Sequence, residues 1–333
     1  MTKILLVGEP LLRISPSHFQ TLSNACQADL YFGGSEVNIA RTLSGFETQA
    51  SFLTTLPNNQ LGKNVESFLR QSGIDTNHIQ WSGQRLGLYF LENGFGCRPA
   101  QVYYDRKGSS FTELSDQDLN LDQLFESVTH FHFSGITLAL GKASQELVEY
   151  LAREARNRHI CISFDLNFRS SMISVKEAKE LFSHFAAYAD IIFGIDPLKK
   201  DDSDCQLFDR DKASQKVIEN RLASLYQKYQ LKLMCHTQRE TDEQGVNHFK
   251  AYAYDGKFHE SQSLATRVLQ RVGSGDAFVA GFLHEYCQGK AILEVLNFGV
   301  AAASLKCTVA DDQLFVSSNQ VEPVLTGNRE VKR

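Results

Sequence analysis

Apolar and polar positions follow two rhythms along the chain. Short apolar runs at Ile4–Gly8, Ala50–Thr54, His130–Ser134, Ile160–Asp165, Ile191–Phe193 and Leu231–Cys235 have the length and β-branched character of strands buried on both faces. Between them, Ser35–Ser44, Leu61–Ser72, Lys142–Arg158 and Ser174–Ala189 carry apolar residues three and four apart, which places them on one face of a helix. Strand and helix alternate throughout. This pattern predicts an α/β fold with a mainly parallel central sheet flanked by helices.

The stretch Leu86–Thr112 breaks the rhythm. It is rich in aromatic and β-branched residues, is punctuated by Gly94, Gly96, Pro99 and Gly108, and has no helical period, so it predicts a hairpin or small sheet. The non-helical piece Arg13–Phe32 is its expected partner. The resulting division is a core of residues 1–12, 33–85 and 113–322, a small β lid of residues 13–32 and 86–112, and a polar tail, 323–333, expected to fray. Such a lid can cover a site or bury its outer face on a second copy, which makes a homodimer the expected assembly. The charged run Lys199–Lys212 reads as a solvated loop. A length of 333 residues suits one large α/β domain with such an appendage.

Charge narrows the classes of partner. With 34 basic and 39 acidic side chains the formal charge is −5, and the two signs are interspersed, so neither nucleic acid nor an anionic membrane is an expected partner. The apolar run that begins at Ile4 is too short for a signal sequence, and no run reaches the length of a membrane span. The seven cysteines are scattered without a Cys-x-x-Cys pair, which argues against disulfides and zinc and for a reduced, cytoplasmic protein. A small-molecule ligand is the remaining expectation.

The chemistry concentrates in Arg271-Val272-Gly273-Ser274-Gly275-Asp276-Ala277-Phe278-Val279-Ala280-Gly281, a glycine-rich turn that feeds a helix. Amides at a helix start and the helix dipole favour an anion, and Gly273 and Gly275 let the backbone approach a phosphate. Asp276 is placed to take a proton from a nucleophilic hydroxyl while those amides hold a phosphoryl group. It equally suits a first-turn acid that complements the dipole.

The segment Gly-Ser-Gly-Asp-Ala-Phe-x-Ala-Gly resembles the second signature of the ribokinase-like, or PfkB, carbohydrate kinases. Gly33-Gly34-Ser35-Glu36-Val37-Asn38-Ile39-Ala40 resembles that family's first sugar-contacting turn, and Leu61-Gly62-Lys63 with Gly73-Ile74 resembles the helix and turn that follow. The likeness runs from about residue 3 to about residue 320. Gly87-Leu88-Tyr89-Phe90, Tyr104-Asp105-Arg106-Lys107-Gly108-Ser109 and Phe164-Asp165-Leu166-Asn167-Phe168-Arg169 are similar to 2-keto-3-deoxygluconate kinases in particular. The resemblance implies the ribokinase-like fold, ATP and Mg2+, and phosphorylation of the terminal hydroxyl of a keto sugar acid. It implies Asp276 as base in a turn formed by Gly273, Ser274 and Gly275. It also implies sugar contacts from Gly34, Asn38, Tyr89, Tyr104, Arg106 and Arg169, and nucleotide contacts from Asn167, Thr237 and Asn297. The two arginines match a substrate carboxylate that neutral sugars lack.

The chain departs from the family on the nucleotide side. Where the family carries Asn-x-x-Glu, this chain has Phe193-Gly194-Ile195-Asp196-Pro197-Leu198-Lys199-Lys200, so no residue is assigned as a metal ligand, with Asp196 a partial substitute. His236-Thr237-Gln238-Arg239-Glu240-Thr241-Asp242-Glu243 has acids in place of the expected glycines, which predicts an acidic loop and weak ATP capture. Gln270 stands where aspartate is common, and Asp311-Asp312 where Gly-Asp is expected. Two readings follow: an active sugar-acid kinase, or a weakened relative that binds a sugar acid as sensor or scaffold. Fructose and ribose are the alternative substrates.

Overall fold

Both faces of the first strand are buried because the chain packs helices on each. In the computed structural model, which describes residues 2–117, 119–210 and 212–327, Leu5 and Val7 of strand β1 (Lys3–Val7) join one apolar cluster and Ile4 and Leu6 the other. The period of two along a strand thus serves two cores.

The strands that follow are β2 (Leu11–Pro16), β3 (Ala28–Gly33), β4 (Gln49–Leu56), β5 (Ile79–Trp81), β6 (Gly87–Glu92), β7 (Gln101–Asp105), β8 (His130–Ser134) and β9 (Cys161–Asp165). After them come β10 (Ile191–Phe193), β11 (Leu233–Thr241), β12 (Val246–Tyr254), β13 (Phe258–Glu260) and β14 (Leu264–Arg267). The helices are α1 (Ser35–Gly45), α2 (Gln60–Gln71), α3 (Leu121–Leu124), α4 (Gly135–Leu138), α5 (Lys142–Asn157), α6 (Val175–Ala186), α7 (Gln215–Tyr229), α8 (Ser274–Cys287), α9 (Ile292–Lys306) and α10 (Ser318–Thr326). The central sheet runs in the order β13-β12-β11-β10-β9-β8-β1-β4-β5, with β14 on the free half of β12, and is parallel from β11 to β5. Helices α5, α6 and α7 cover one face, and α1, α2, α8 and α9 the other. Helix α6 starts at Val175 because Ser174 and Glu177 form a reciprocal capping box.

A separate four-stranded sheet, β3-β2-β6-β7, stands over the strand ends. Its strand β7 is exposed along its whole length, including Val102 and Tyr103.

Three expectations need correction. The parallel order stops at β11, which continues through Thr241 and turns back antiparallel into β12, so residues 236–241 form a strand and not a loop. Asp242 makes the turn, accepting from the amides of Gln244 at 3.0 Å and Val246 at 2.8 Å. The run Lys199–Lys212 is anchored, since Asp204 is bracketed by the buried Lys179 (3.0 Å) and Arg221 (2.5 Å). Finally, Pro323–Thr326 is helical, and Val324 and Leu325 pack against the cluster of Phe46, Phe298 and Leu314. The rest of the expected tail, residues 328–333, lies outside the described residues. All seven cysteines are free, and no helix among the described residues is long and apolar enough to cross a membrane.

Candidate active site

Strands β1, β9, β10 and β11 all point their C-terminal ends into one cleft of about 720 Å³. The small sheet contributes Tyr89, Val102 and Tyr104, and the start of α8 closes the cleft opposite. Open α/β sheets gather ligands at this edge because the loops there can vary while the strands stay fixed.

The turn before α8 has a steric reason for its glycine. Gly273 has φ +80°, and a Cβ there would lie 1.7 Å from the carbonyl oxygen of Asp312, so no other residue fits without moving the backbone. With no side chain capping α8, the amides at its start face the cleft. Gln270 folds back to accept from the Val272 amide at 3.1 Å, which holds the approach to the turn.

Asp276 is buried in the first turn of α8 and held at both oxygens. Ser35 Oγ donates to Oδ1 at 2.8 Å, and Asn38 Nδ2 donates to Oδ2 at 2.7 Å. Each donor is itself fixed: Asn167 Nδ2 donates to Ser35 Oγ at 2.8 Å, and Gln313 Nε2 donates to Asn38 Oδ1 at 2.6 Å. Burial raises the Asp276 pKa, opposed by these two bonds and by the Arg169 charge. Asp165, at the end of β9, is pushed up to about 7 by burial and then by the Asp276 charge. The site therefore holds two carboxyls that resist ionising together.

The two arginines expected to read a substrate carboxylate stand differently. Arg106 is buried and already paired with Glu9, with Nε at 2.7 Å from Oε2. Arg169 is exposed in the cleft, bonds only the neighbouring Phe168 carbonyl at 3.2 Å, and forms no ion pair among the described residues. Tyr89 donates to Asp312, a fully buried carboxylate that also pairs with Arg13. Tyr104 lies against both, its ring 5.9 Å from Tyr89 and 5.7 Å from the Arg106 guanidinium. Gly34, with φ +120°, caps α1 where a Cβ would strike the Glu9 carbonyl at 2.3 Å.

The profile of the pfkB family carbohydrate kinases matches residues 1–319. The chain belongs to that family. Among similar curated proteins, a 2-dehydro-3-deoxygalactonokinase of Haloferax volcanii is 28% identical over 98% of this chain and 97% of its own. A 2-dehydro-3-deoxygluconokinase of Thermoproteus tenax is 26% identical over 98% and 94%. The crystal structure of 2-dehydro-3-deoxygluconokinase from Thermotoga maritima superposes with a TM-score of 0.90 at 29% identity, covering 98% of each chain.

On the nucleotide side of this kinase, Asn167 and Thr237 line the cleft, whereas Asn297 does not. Its side chain instead accepts from the Gln262 amide at 2.9 Å, away from the site, because the start of the segment after β13 needs that acceptor. The expected acidic loop is also absent from the cleft: β11 brings His236, Thr237, Gln238 and Arg239 to its wall, and Glu240, Asp242 and Glu243 lie outside it. Arg210 from the anchored loop and Arg271 join Arg239 there. Asp196 accepts from the Phe208 amide at 2.9 Å through Oδ2, and its other oxygen is buried without a partner. One unclaimed carboxylate oxygen fits magnesium, which keeps waters and phosphate oxygens as its other ligands.

Sequence reasoning missed Glu9, Arg13, Asp165, Arg210, Arg239, Asp312 and Gln313 as parts of the site. Glu9 and Asp312 each hold a residue that it named, and a short local motif carries no signal for a partner some 97 to 299 positions away.

Proposed function

We propose that this kinase transfers the terminal phosphoryl group of ATP to the terminal hydroxyl of a 2-keto-3-deoxy sugar acid, with 2-keto-3-deoxygluconate as the substrate. The observation that carries the reading is the Asp276 carboxylate, buried at the start of α8, oriented at both oxygens, and in the same cleft as the unpaired Arg169. As the sugar oxygen bonds to phosphorus, Asp276 takes its proton, the bond to the bridging oxygen breaks, and ADP leaves. The amides at the start of α8 face the charge that develops on the transferring group. Asp196 would hold magnesium, which supplies charge neutralisation to the phosphates. Arg169 would pair with the sugar-acid carboxylate, Tyr104 and Asn38 would meet its hydroxyls, and Arg106 would be kept in place by Glu9.

The names of the relatives differ in the configuration of the sugar acid, so the panel must contain both epimers. A coupled ADP-release assay should show turnover with 2-keto-3-deoxygluconate well above that with fructose or ribose. Arg169→Ala should weaken the sugar acid by about 2 to 4 kcal/mol and barely affect a neutral sugar. Equal losses for acid and neutral sugars would make Arg169 structural. Tight sugar-acid binding without any turnover would replace the kinase reading with that of a sensor.

A further inference from the structure

The wall of the cleft next to the α8 turn is built from arginine. Arg239 reaches from β11 so far over that turn that its Nη2 lies 3.8 Å from where a Cβ on Gly275 would sit. Arg271 immediately precedes the turn and is tied to the same strand, its Nη2 donating to Thr241 Oγ1 at 2.9 Å. Arg210 enters from the loop that Asp204 anchors, and Arg169 faces them from the end of β9. All four side chains are solvent-exposed inside a concave site. Arg169, Arg239 and Arg271 form no ion pair among the described residues. The acid beside Arg210 on this wall, Asp209, is engaged by Lys212 at 3.3 Å.

Like charges gathered without counter-charge repel, and the Arg239 pKa is lowered by burial and then by Arg271, Arg210 and Arg169. The side chain is enclosed by the walls of the cleft yet open to solvent, so an anion could relieve the repulsion without any rearrangement of the fold. Guanidinium forks match phosphate oxygens in geometry as well as charge. By contrast, no comparable provision is made for a base: Asn297 is occupied by Gln262 outside the cleft, and His236 is buried, with its pKa near 3.

We propose that Arg210, Arg239 and Arg271 form a polyphosphate clamp that grips the phosphoryl donor by its phosphate chain, so that the donor is selected by charge far more than by its base. This rests on the reading of the cleft as a phosphoryl-transfer site. The clamp takes the place of the glycine-lined backbone cradle: side chains reach inward from a strand where close backbone approach is blocked. It also predicts tolerance among nucleoside triphosphates.

The test is calorimetric titration of the full-length kinase with ATP, GTP, inorganic triphosphate and adenosine, without sugar. The clamp predicts ATP, GTP and inorganic triphosphate within about tenfold of one another and no detectable adenosine binding. Arg239→Gln and Arg271→Gln, both at exposed side chains, should each weaken ATP and triphosphate by the same factor, about 10- to 100-fold for a lost charge-assisted contact. Adenosine binding as tight as ATP, or triphosphate binding unchanged in both folded variants, would overturn the proposal. Triphosphate binding that needs these arginines, in a protein with no turnover on any sugar acid, would overturn phosphoryl transfer and leave the clamp standing.

Discussion

Asp276→Asn keeps the size of the side chain and removes its charge and its basicity. The neighbourhood can absorb the change. The new amide oxygen can still accept from Asn38 Nδ2, and the amide NH2 can donate to Ser35 Oγ, which at present donates to Asp276 and accepts only from Asn167. Packing is therefore expected to persist. A positioned base contributes roughly 10²- to 10⁴-fold, or about 2.7 to 5.4 kcal/mol of barrier, so kcat should fall by at least about 100-fold while the sugar-acid KM changes little. Stability should move the other way. The folded-state pKa of Asp276 is raised, so the folded protein binds its proton more readily than the unfolded chain, and that advantage is lost as pH rises through the folded value. At neutral pH the wild type carries a buried charge that the amide lacks. The variant should therefore melt at or above the wild-type temperature at pH 7, with the difference closing below the unfolded carboxyl pKa of about 3.9. Steady-state ADP release at saturating ATP and sugar acid, with thermal melts at both pH values, checks both halves. A wild-type kcat would refute the assignment of the base, and a large loss of melting temperature at pH 7 would refute the electrostatic argument.

Asp165→Asn should move the acid limb of the kcat/KM profile to lower pH, because two neighbouring carboxyls titrate as a pair and removing one charge lets the other ionise more easily; an unmoved limb would show that they do not communicate. His132 and His236 are buried, with pKa values near 3 set mainly by burial, so between pH 6.5 and about 3 the unfolded chain takes up protons that the folded one refuses. At pH 5 each should cost about 2 kcal/mol of stability, and the urea midpoint should fall measurably between pH 7 and pH 5; a flat midpoint would refute this.

What the sequence could reveal was whatever depends on neighbours along the chain. The strands at His130–Ser134 and Ile191–Phe193 appear where their apolar runs place them, because a strand buried on both faces has nothing to hide in its pattern. The Gly273–Asp276 turn was legible for the same reason: the φ of Gly273, the helix start and the acid all lie within one short segment. The hairpin of β11 and β12 was not legible. Its first strand carries His236, Thr237, Gln238, Arg239 and Glu240, a polar run that reads as a loop until the pairing with β12 satisfies its backbone. Asn297 misled for the opposite reason: the residue type matched, but whether a side chain is free to meet a ligand depends on what else needs it, here the Gln262 amide. Tertiary partners such as Glu9 for Arg106 and Asp312 for Tyr89 belong to the same class.

The electrostatics of the cleft show why net charge and eroded motifs are poor guides to turnover. The chain is acidic overall, at −5, yet Arg106, Arg169, Arg210, Arg239 and Arg271 all line the site. The acids among them are largely committed within the protein. Glu9 holds Arg106, Glu36 accepts from Ser134 and Thr137, Asp276 accepts from Ser35 and Asn38, and only one oxygen of Asp196 is left without a partner. The field in the cleft therefore favours anions at both ends: Arg169 toward the sugar acid and the arginine wall toward the donor. The acids at Glu240, Asp242 and Glu243, which would repel ATP if they faced it, lie outside the cleft, and their repulsion is screened over a Debye length of about 8 Å. A motif written in side chains along one loop can thus change while the charge it supplied is restored from a strand and a turn that the fold brings to the same place.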